Sequence, residues 1–319
     1  MDNEVTRDEA TVMEGRTATV SASAWPAASL PGRRRGLAQR LVRAAVRRRS
    51  SLLGIALIGV FVFVALFAPV LAPRSPYLQN LPKRLMPPFW APGGDIVHLL
   101  GTDQLGRDML SRLIYGARVS LVVASATVLV AGLIGTALGL IAGFYGGLLD
   151  DLIMRTVDTQ LAFPFVLLAI LVAAFLGGSL RNMVIVLVIA SWVTYARMAR
   201  ATVLDVRERD FIIAARLVGC NSLRIITRHI LPNIITPVLI VGSLEVGQVL
   251  LAEATLSFIG LGVEPRTPAW GSMLSQGRVY ISTAWWLCVF PGLAIALTVL
   301  GANLVGDWLL EALDPRLQV

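Results

Sequence analysis

The chain has 319 residues, of which 56% are hydrophobic and only 15% charged. A single soluble domain of this length does not need so much apolar surface, and several runs reach the roughly 18 residues that mark a transmembrane helix. The formal net charge of +8 does not indicate nucleic-acid binding, because the basic residues sit mainly in one tail and one internal loop, the distribution that orients membrane helices.

In chain order, residues 1–32 mix Thr, Ala, Ser, Glu and Pro without apolar periodicity and are expected to be a disordered cytoplasmic tail. Residues 33–118 divide into three parts. An Arg-rich stretch at 33–49, with Leu37, Leu41 and Ala45 spaced by four, predicts an amphipathic helix on the lipid surface. A first span follows at 52–72, ended by Pro69 and Pro73. An external loop then runs from 73 to 118. Its first half carries Pro73, Pro76, Pro82, Pro87, Pro88 and Pro92 and should be extended or turn-like. Its second half, Gly101 to Tyr115, predicts a capped amphipathic helix starting at Thr102 or Asp103.

Residues 119–319 form the helical core. Spans are predicted at 119–143, 157–177, 181–197, 234–257 and 283–306, which makes six with the first. The 15 residues between Arg181 and Arg197 give only about 22 Å of helix, so this span must borrow flanking residues or let its arginines snorkel. Six spans put both termini on one side. With the Arg-rich tail inside, the inner segments hold 19 basic residues against 9 outside, which predicts a multi-pass protein of the cytoplasmic membrane with both termini cytoplasmic.

Four features stand out within the core. Ala131, Gly135, Gly139, Gly143 and Gly147 recur every four residues, so they share one helix face and predict close helix–helix packing, within the bundle or across a dimer. Arg155 and Asp158 flank a predicted helix start, where an ion pair or a cap is the simplest account. Two acids interrupt the fifth span. Glu245 lies near mid-depth, with Gln248 beside it as a second candidate for the translocation path, and Glu253 lies near the outer end in a structural role. A charge in hydrocarbon costs at least about 2.5 kcal/mol on insertion scales, so such acids face a bundle interior or a wet path.

The sharpest feature is the charged cytoplasmic loop 197–233. Asp205 and Asp210 sit at or before a helix start, and Phe211, Ala214, Ala215 and Val218 follow at helical spacing. Gly219 then breaks the helix as a C′ residue. Asn221 or Ser222 caps a second helix through Arg228, and Pro232 ends it before the next span. The product is two short helices with a glycine turn, presented to a soluble partner, with small Ala214 and Ala215 leaving room for that partner.

The run Ala214-Ala215-x3-Gly219 followed by His229-Ile-Leu231-Pro232 resembles the "EAA" loop of ABC importer membrane subunits. Leu66-Phe-Ala-Pro-Val-Leu-Ala-Pro73, Gly101-Thr-Asp-Gln-Leu-Gly-Arg-Asp108, Glu253 to Gly262 and Thr267-Pro-Ala-Trp-Gly271 are similar to the C-type permease of dipeptide and oligopeptide importers, over about residues 40–315. The resemblance implies a type I ABC importer transmembrane domain whose loop at 205–232 docks into an ATP-binding subunit. Asp210, Ala214, Ala215, Gly219, Arg224, His229, Leu231 and Pro232 are then its candidate coupling residues. The implied partners are a second, homologous permease, two ATP-binding subunits, an external peptide-binding protein and membrane lipid. Ile213 stands where the family has the glutamate that names the motif, which puts the charge part of that contact in doubt. Asp205, Glu208, Asp210 or Arg216 are the candidates to compensate.

The chain has one lysine, Lys83, and no Gly-x4-Gly-Lys-Ser/Thr run, so ATP and Mg are expected on partner subunits and no cofactor or metal on this one. His98 and His229 lie outside all predicted spans, which leaves no intramembrane Ser–His dyad. His229 is expected to be a structural hydrogen-bonding residue. Cys220 and Cys288 are far apart and predict neither a disulfide nor a zinc site. The alternative cargo is nickel or another small solute. The alternative class is an ion-gradient secondary transporter, which needs no docking loop.

Overall fold

The computed structural model describes residues 49–313 except 177, 178, 263 and 265. The tail at 1–32, all but the last residue of the surface helix at 33–49, and the C-terminal Arg316 lie outside the described residues. Among the described residues the fold is all-α. Its main helices are α1 (Arg49–Leu66), α2 (Met109–Tyr145), α3 (Gly147–Ala162), α4 (Phe165–Leu176), α5 (Leu180–Arg207), α6 (Asp210–Leu217), α7 (Ser222–Ile259), α8 (Trp270–Gly277) and α9 (Trp286–Leu313). Five of these, α1, α2, α5, α7 and α9, are long and apolar enough to cross a bilayer. A sixth span results if α3 and α4 count as one.

That third span is not the straight helix expected at 157–177. α3 and α4 meet at 96°, with Pro164 in the break. A proline cannot donate the helical hydrogen bond, and its ring disfavours helical dihedrals in the residue before it; Phe163 is accordingly extended at φ −91°, ψ 131°. The expected start of this span also moves. Arg155 and Asp158 lie well inside α3, both exposed, and among the described residues they form no ion pair. The fourth span, in contrast, is far longer than its uncharged stretch. α5 continues past Arg197 to Arg207 because its basic residues are satisfied by protein: Arg200 makes a two-pronged salt bridge to Asp150 of α3, and Arg207 donates to the Gly143 carbonyl at 2.8 Å.

α2 and α5 form the most extensive helix pair, and the glycine stripe is the reason. A β-carbon at Gly135 or Gly139 would run into the main-chain carbonyls of Trp192 and Ala196, and one at Gly143 would come within 2.9 Å of Val203 Cβ. The close approach is therefore used inside this chain. Gly147 is not part of it. Gly146 and Gly147 have φ of +67° and +58° and end α2, and a β-carbon on Gly147 would meet nothing within 4 Å.

The loop before α2 also departs from expectation. No helix starts at Thr102 or Asp103. Asp103 instead accepts the amides of Leu105 (2.8 Å) and Arg107 (2.9 Å), Gly106 turns the chain at φ +72°, and Thr102 pairs back with Asp108. Asp108 is the true N-cap of α2, accepting from the Ser111 amide at 2.8 Å. Both aspartates satisfy the cap pattern, and the left-handed glycine between them decides in favour of the second.

Candidate functional site

The charged segment folds as one short helix, α6, and the first turns of the long α7, seated on the ends of α2 and α5. α6 begins at Asp210, whose negative charge suits the helix N-terminus, and Arg209 supplies no side-chain cap. α6 ends at Leu217. Gly219 is left-handed at φ +82°, its amide donates to the Arg216 carbonyl at 2.9 Å, and the Cys220 amide donates to the Ala215 carbonyl at 3.0 Å. This is a Schellman turn, and it requires glycine because a side chain disfavours that backbone region. Asn221 then caps α7 through the Arg224 amide at 2.9 Å.

Pro232 does not end this second helix. α7 runs on to Ile259, with a wider π turn at Ile226–Ile230 just before the proline. A proline removes one helical amide and crowds the carbonyl four residues back, and the widened turn relieves both.

Val203, Val206, Ile212, Ile225, Ile230 and Ile234 are buried in one cluster, with Leu140, Phe144, Ala215, Cys220 and Leu231 packed at its margin. Ala215 therefore faces inward and Ala214 outward, so only Ala214 leaves room for a partner. The outward face is apolar. Leu217 and Val218 are each 83% exposed, Leu223 68%, and Phe211 and Ile213 about half. Around this crest lie Arg216, stacked over Phe144 at 5.7 Å, and Arg224 and Arg228, both exposed. Of the four candidates to replace the missing motif acid, Asp205 is paired with Arg209 at 2.6 Å. The others form no side-chain ion pair among the described residues. His229 packs its ring against Phe211 at 6.4 Å, and its carbonyl accepts from Asn233 at 2.6 Å. Its contacts are ring packing and a main-chain acceptor, and among the described residues no side-chain hydrogen bond from the imidazole is seen. Pro232 is exposed and Leu231 half-buried.

The two intramembrane acids occupy different surroundings. Glu245 is half-buried and its carboxylate interacts with Thr194 of α5; Gln248 is exposed. Glu253 is 1% exposed and accepts from Ser257 (3.0 Å) and Ser120 (3.4 Å), under Gly271 of α8. A structural role for Glu253 fits this enclosure.

Two constellations were not anticipated from the sequence. One is the Asp150–Arg200 pair joining α3 to α5. The other is a buried polar hub in the loop before α2. There Arg107 and Arg112 flank Asp103 at 2.6 and 3.4 Å, and His98 contacts Asp108 at 3.0 Å. Trp286 Nε1 donates to the Thr102 carbonyl at 3.1 Å, which ties the hub to α9. A signal for the hub was Gly106 among the charged Asp103, Arg107 and Asp108, because a glycine there favours a turn over a continuous helix face.

A family model described as "Binding-protein-dependent transport system inner membrane component" matches residues 135–319, and one described as "N-terminal TM domain of oligopeptide transport permease C" matches residues 36–88. Among curated relatives, the di/tripeptide transport system permease protein DppC of Pseudomonas aeruginosa is 45% identical over 85% of this chain and 89% of its own length. The dipeptide transport system permease proteins DppC of Escherichia coli K12 and Haemophilus influenzae are 44% and 40% identical, over 85% of this chain and 91% and 92% of theirs. Among solved structures, a chain of the inward-facing MetNI methionine ABC transporter superposes with a TM-score of 0.53 at 18% identity, covering 62% of this chain and 94% of that one. That likeness concerns the fold.

Proposed function

The chain belongs to the inner-membrane components of binding-protein-dependent transport systems, in the C-type peptide permease branch, and on that premise we propose how it works as the permease subunit of a peptide ABC importer. The coupling element is the pair formed by α6 and the start of α7. An ATP-binding subunit seats the crest of Phe211, Ile213, Leu217, Val218 and Leu223 in an apolar groove. ATP and Mg reside on that subunit, and no covalent chemistry takes place in this chain. A second, homologous permease completes the channel, and an external peptide-binding protein delivers cargo to the loops on the far side. Both termini are cytoplasmic.

The observation that carries this reading is the combination of a buried foundation with an uncovered apolar crest. The cluster around Ile212 and Ile225 fixes α6 and the start of α7 to α2 and α5, so a displacement of the crest moves the spans as rigid bodies. A two-state switch needs such a lever, because packed elements transmit shifts and do not deform gradually. Nucleotide binding on the partner biases which state is populated. The loss of the motif glutamate to Ile213 makes the contact more apolar and leaves its footing unchanged. Neither a nickel permease nor an ion-gradient transporter is favoured by these relatives, which are named peptide permeases.

The test is co-purification of this chain with the ATP-binding and permease subunits of its system. Ala214→Trp should abolish retention of the ATP-binding subunit while the second permease stays bound. Full retention would refute the docking role. Ala215→Trp should instead lower the yield of folded chain, because that side chain points into the buried cluster.

A further inference from the structure

We infer that Glu245 and Thr194 form a station at mid-membrane depth for the terminal ammonium group of the peptide in transit, an inference that rests on the reading of this chain as a peptide permease. Glu245 stands midway between Leu231 and Ile259, and Thr194 midway between Leu180 and Arg207. Both are about 20 Å along the helix from those residues at 1.5 Å per residue, which puts them near the middle of a roughly 30 Å hydrocarbon core. The carboxylate lies beside Thr194, and among the described residues it forms no ion pair. Arg200, a turn and a half further along α5, is already held by Asp150. A second polar group on α5 has no partner at all. The hydroxyl of Tyr195, a residue 1% exposed, finds no hydrogen-bond partner. It lies against Gly242, one turn before Glu245 on the same helix, at 3.6 Å from the position a β-carbon would take.

An acid and a phenol at this depth, with no cation between them, are costly in a finished bundle and call for a charge that comes and goes. A peptide with a free N-terminus supplies one. Its α-amino group has an ordinary pKa of about 7.7–8.0 and is largely protonated at neutral pH. It presents three donors, enough for Glu245, the Thr194 oxygen and the Tyr195 oxygen. The exposed amide of Gln248, one turn along α7, is placed to meet the peptide backbone. Because the group recognised is common to all peptides, the station recognises peptide character without reading side chains.

The experiment is ATP-driven uptake of trialanine into proteoliposomes holding the full complex with its external binding protein. Three forms of this chain are compared: wild type, Glu245→Asp and Glu245→Gln. Asp keeps the charge at altered length, whereas Gln keeps the shape without the charge. The expected result is that Gln lowers uptake at least about ten-fold, the size of one charge-assisted hydrogen bond, while Asp retains most of it. All subunits should remain in the purified Gln complex. Equal losses in Asp and Gln, or a Gln form as active as the Asp form, would mean a packing role and overturn the inference. Loss of the second permease from the Gln complex would assign the acid to a subunit contact, with the same consequence. A wild-type complex that takes up no peptide would instead strike the functional reading beneath it.

Discussion

At the coupling end of the bundle, apolar side chains stand uncovered; in the loop before α2, charged ones are sealed. Leu217 and Val218 are each 83% exposed, while Asp103, Arg107, Asp108 and Arg112 are all 4% exposed or less. Each region inverts the usual rule that hydrophobic groups go inside and charges outside. The inversions have opposite meanings. The hub before α2 is largely paired within the chain: Asp103 accepts two backbone amides and the Arg107 guanidinium, while Arg112 lies 3.4 Å from Asp103 with Nη1 and Nη2 making no hydrogen bond. Its charges are countered within the chain, and it clamps α8 and α9 through Gln276 and Trp286. On the proposed function, the crest is covered only when another protein seats it, so one end would hold still and the other would be gripped.

The largest effect is expected at the clamp. Asp103→Ala leaves Arg107 and Arg112 buried without their counter-ion, and breaking a buried pair by removing one partner costs about 3–5 kcal/mol. Thermal unfolding of the purified complex should show a clear loss of stability. An unchanged midpoint would mean the buried charges are not structural, and the contrast between the two ends would collapse.

The crest should behave in the opposite way. Leu217→Ser combined with Val218→Ser removes apolar surface that is mostly uncovered in this chain, so stability should change by no more than about 0.5 kcal/mol. Affinity for the ATP-binding subunit should fall by at least about ten-fold, since a fully buried side chain of this kind contributes about 1.5–3 kcal/mol. A stability loss without a loss of affinity would show that the crest belongs to the fold and would blur the comparison.

The sequence conveyed the coupling end better than the clamp, for a physical reason. Helix caps and left-handed glycines are local: Gly219 and Asn221 act on residues within a turn or so, and both fall where spacing predicted. The glycine stripe was legible as a face, and only its partner, α5, had to come from the fold. Failures arose where a distant group changed what a local pattern meant. Arg197 looked like the end of a short span, but Asp150 and the Gly143 carbonyl let α5 carry its basic residues on to Arg207. Pro232 looked like a terminator, and the π turn before it let the helix through. Asp103 and Asp108 offered equivalent caps, and the choice fell to the φ of Gly106. Ala214 and Ala215 are alike in sequence and face opposite ways in the fold. The same limit applied to Glu245, whose depth was readable but whose neighbours Thr194 and Tyr195 come from another span.

The smallest expected effect lies in the same loop as the clamp and sharpens the point. Lys83 and Asp95 form an ion pair at 2.9 Å with each side chain about one-third exposed. The hydrogen bond from Lys83, aided by the Val97 amide, holds the Asp95 carboxyl below its ordinary value of 3.8. A lowered folded-state pKa stabilises the fold above the unfolded value, and that contribution disappears as pH falls through the folded one. Asp95→Asn should therefore lower the unfolding midpoint slightly at pH 7, and the difference from wild type should vanish as the pH drops below 3.8. Water and salt screen this pair as they cannot screen Asp103, so adding salt should erase the Asp95 effect and leave the Asp103 effect intact. If both respond to salt alike, burial is not what separates them, and the clamp is no more sealed than the surface around it.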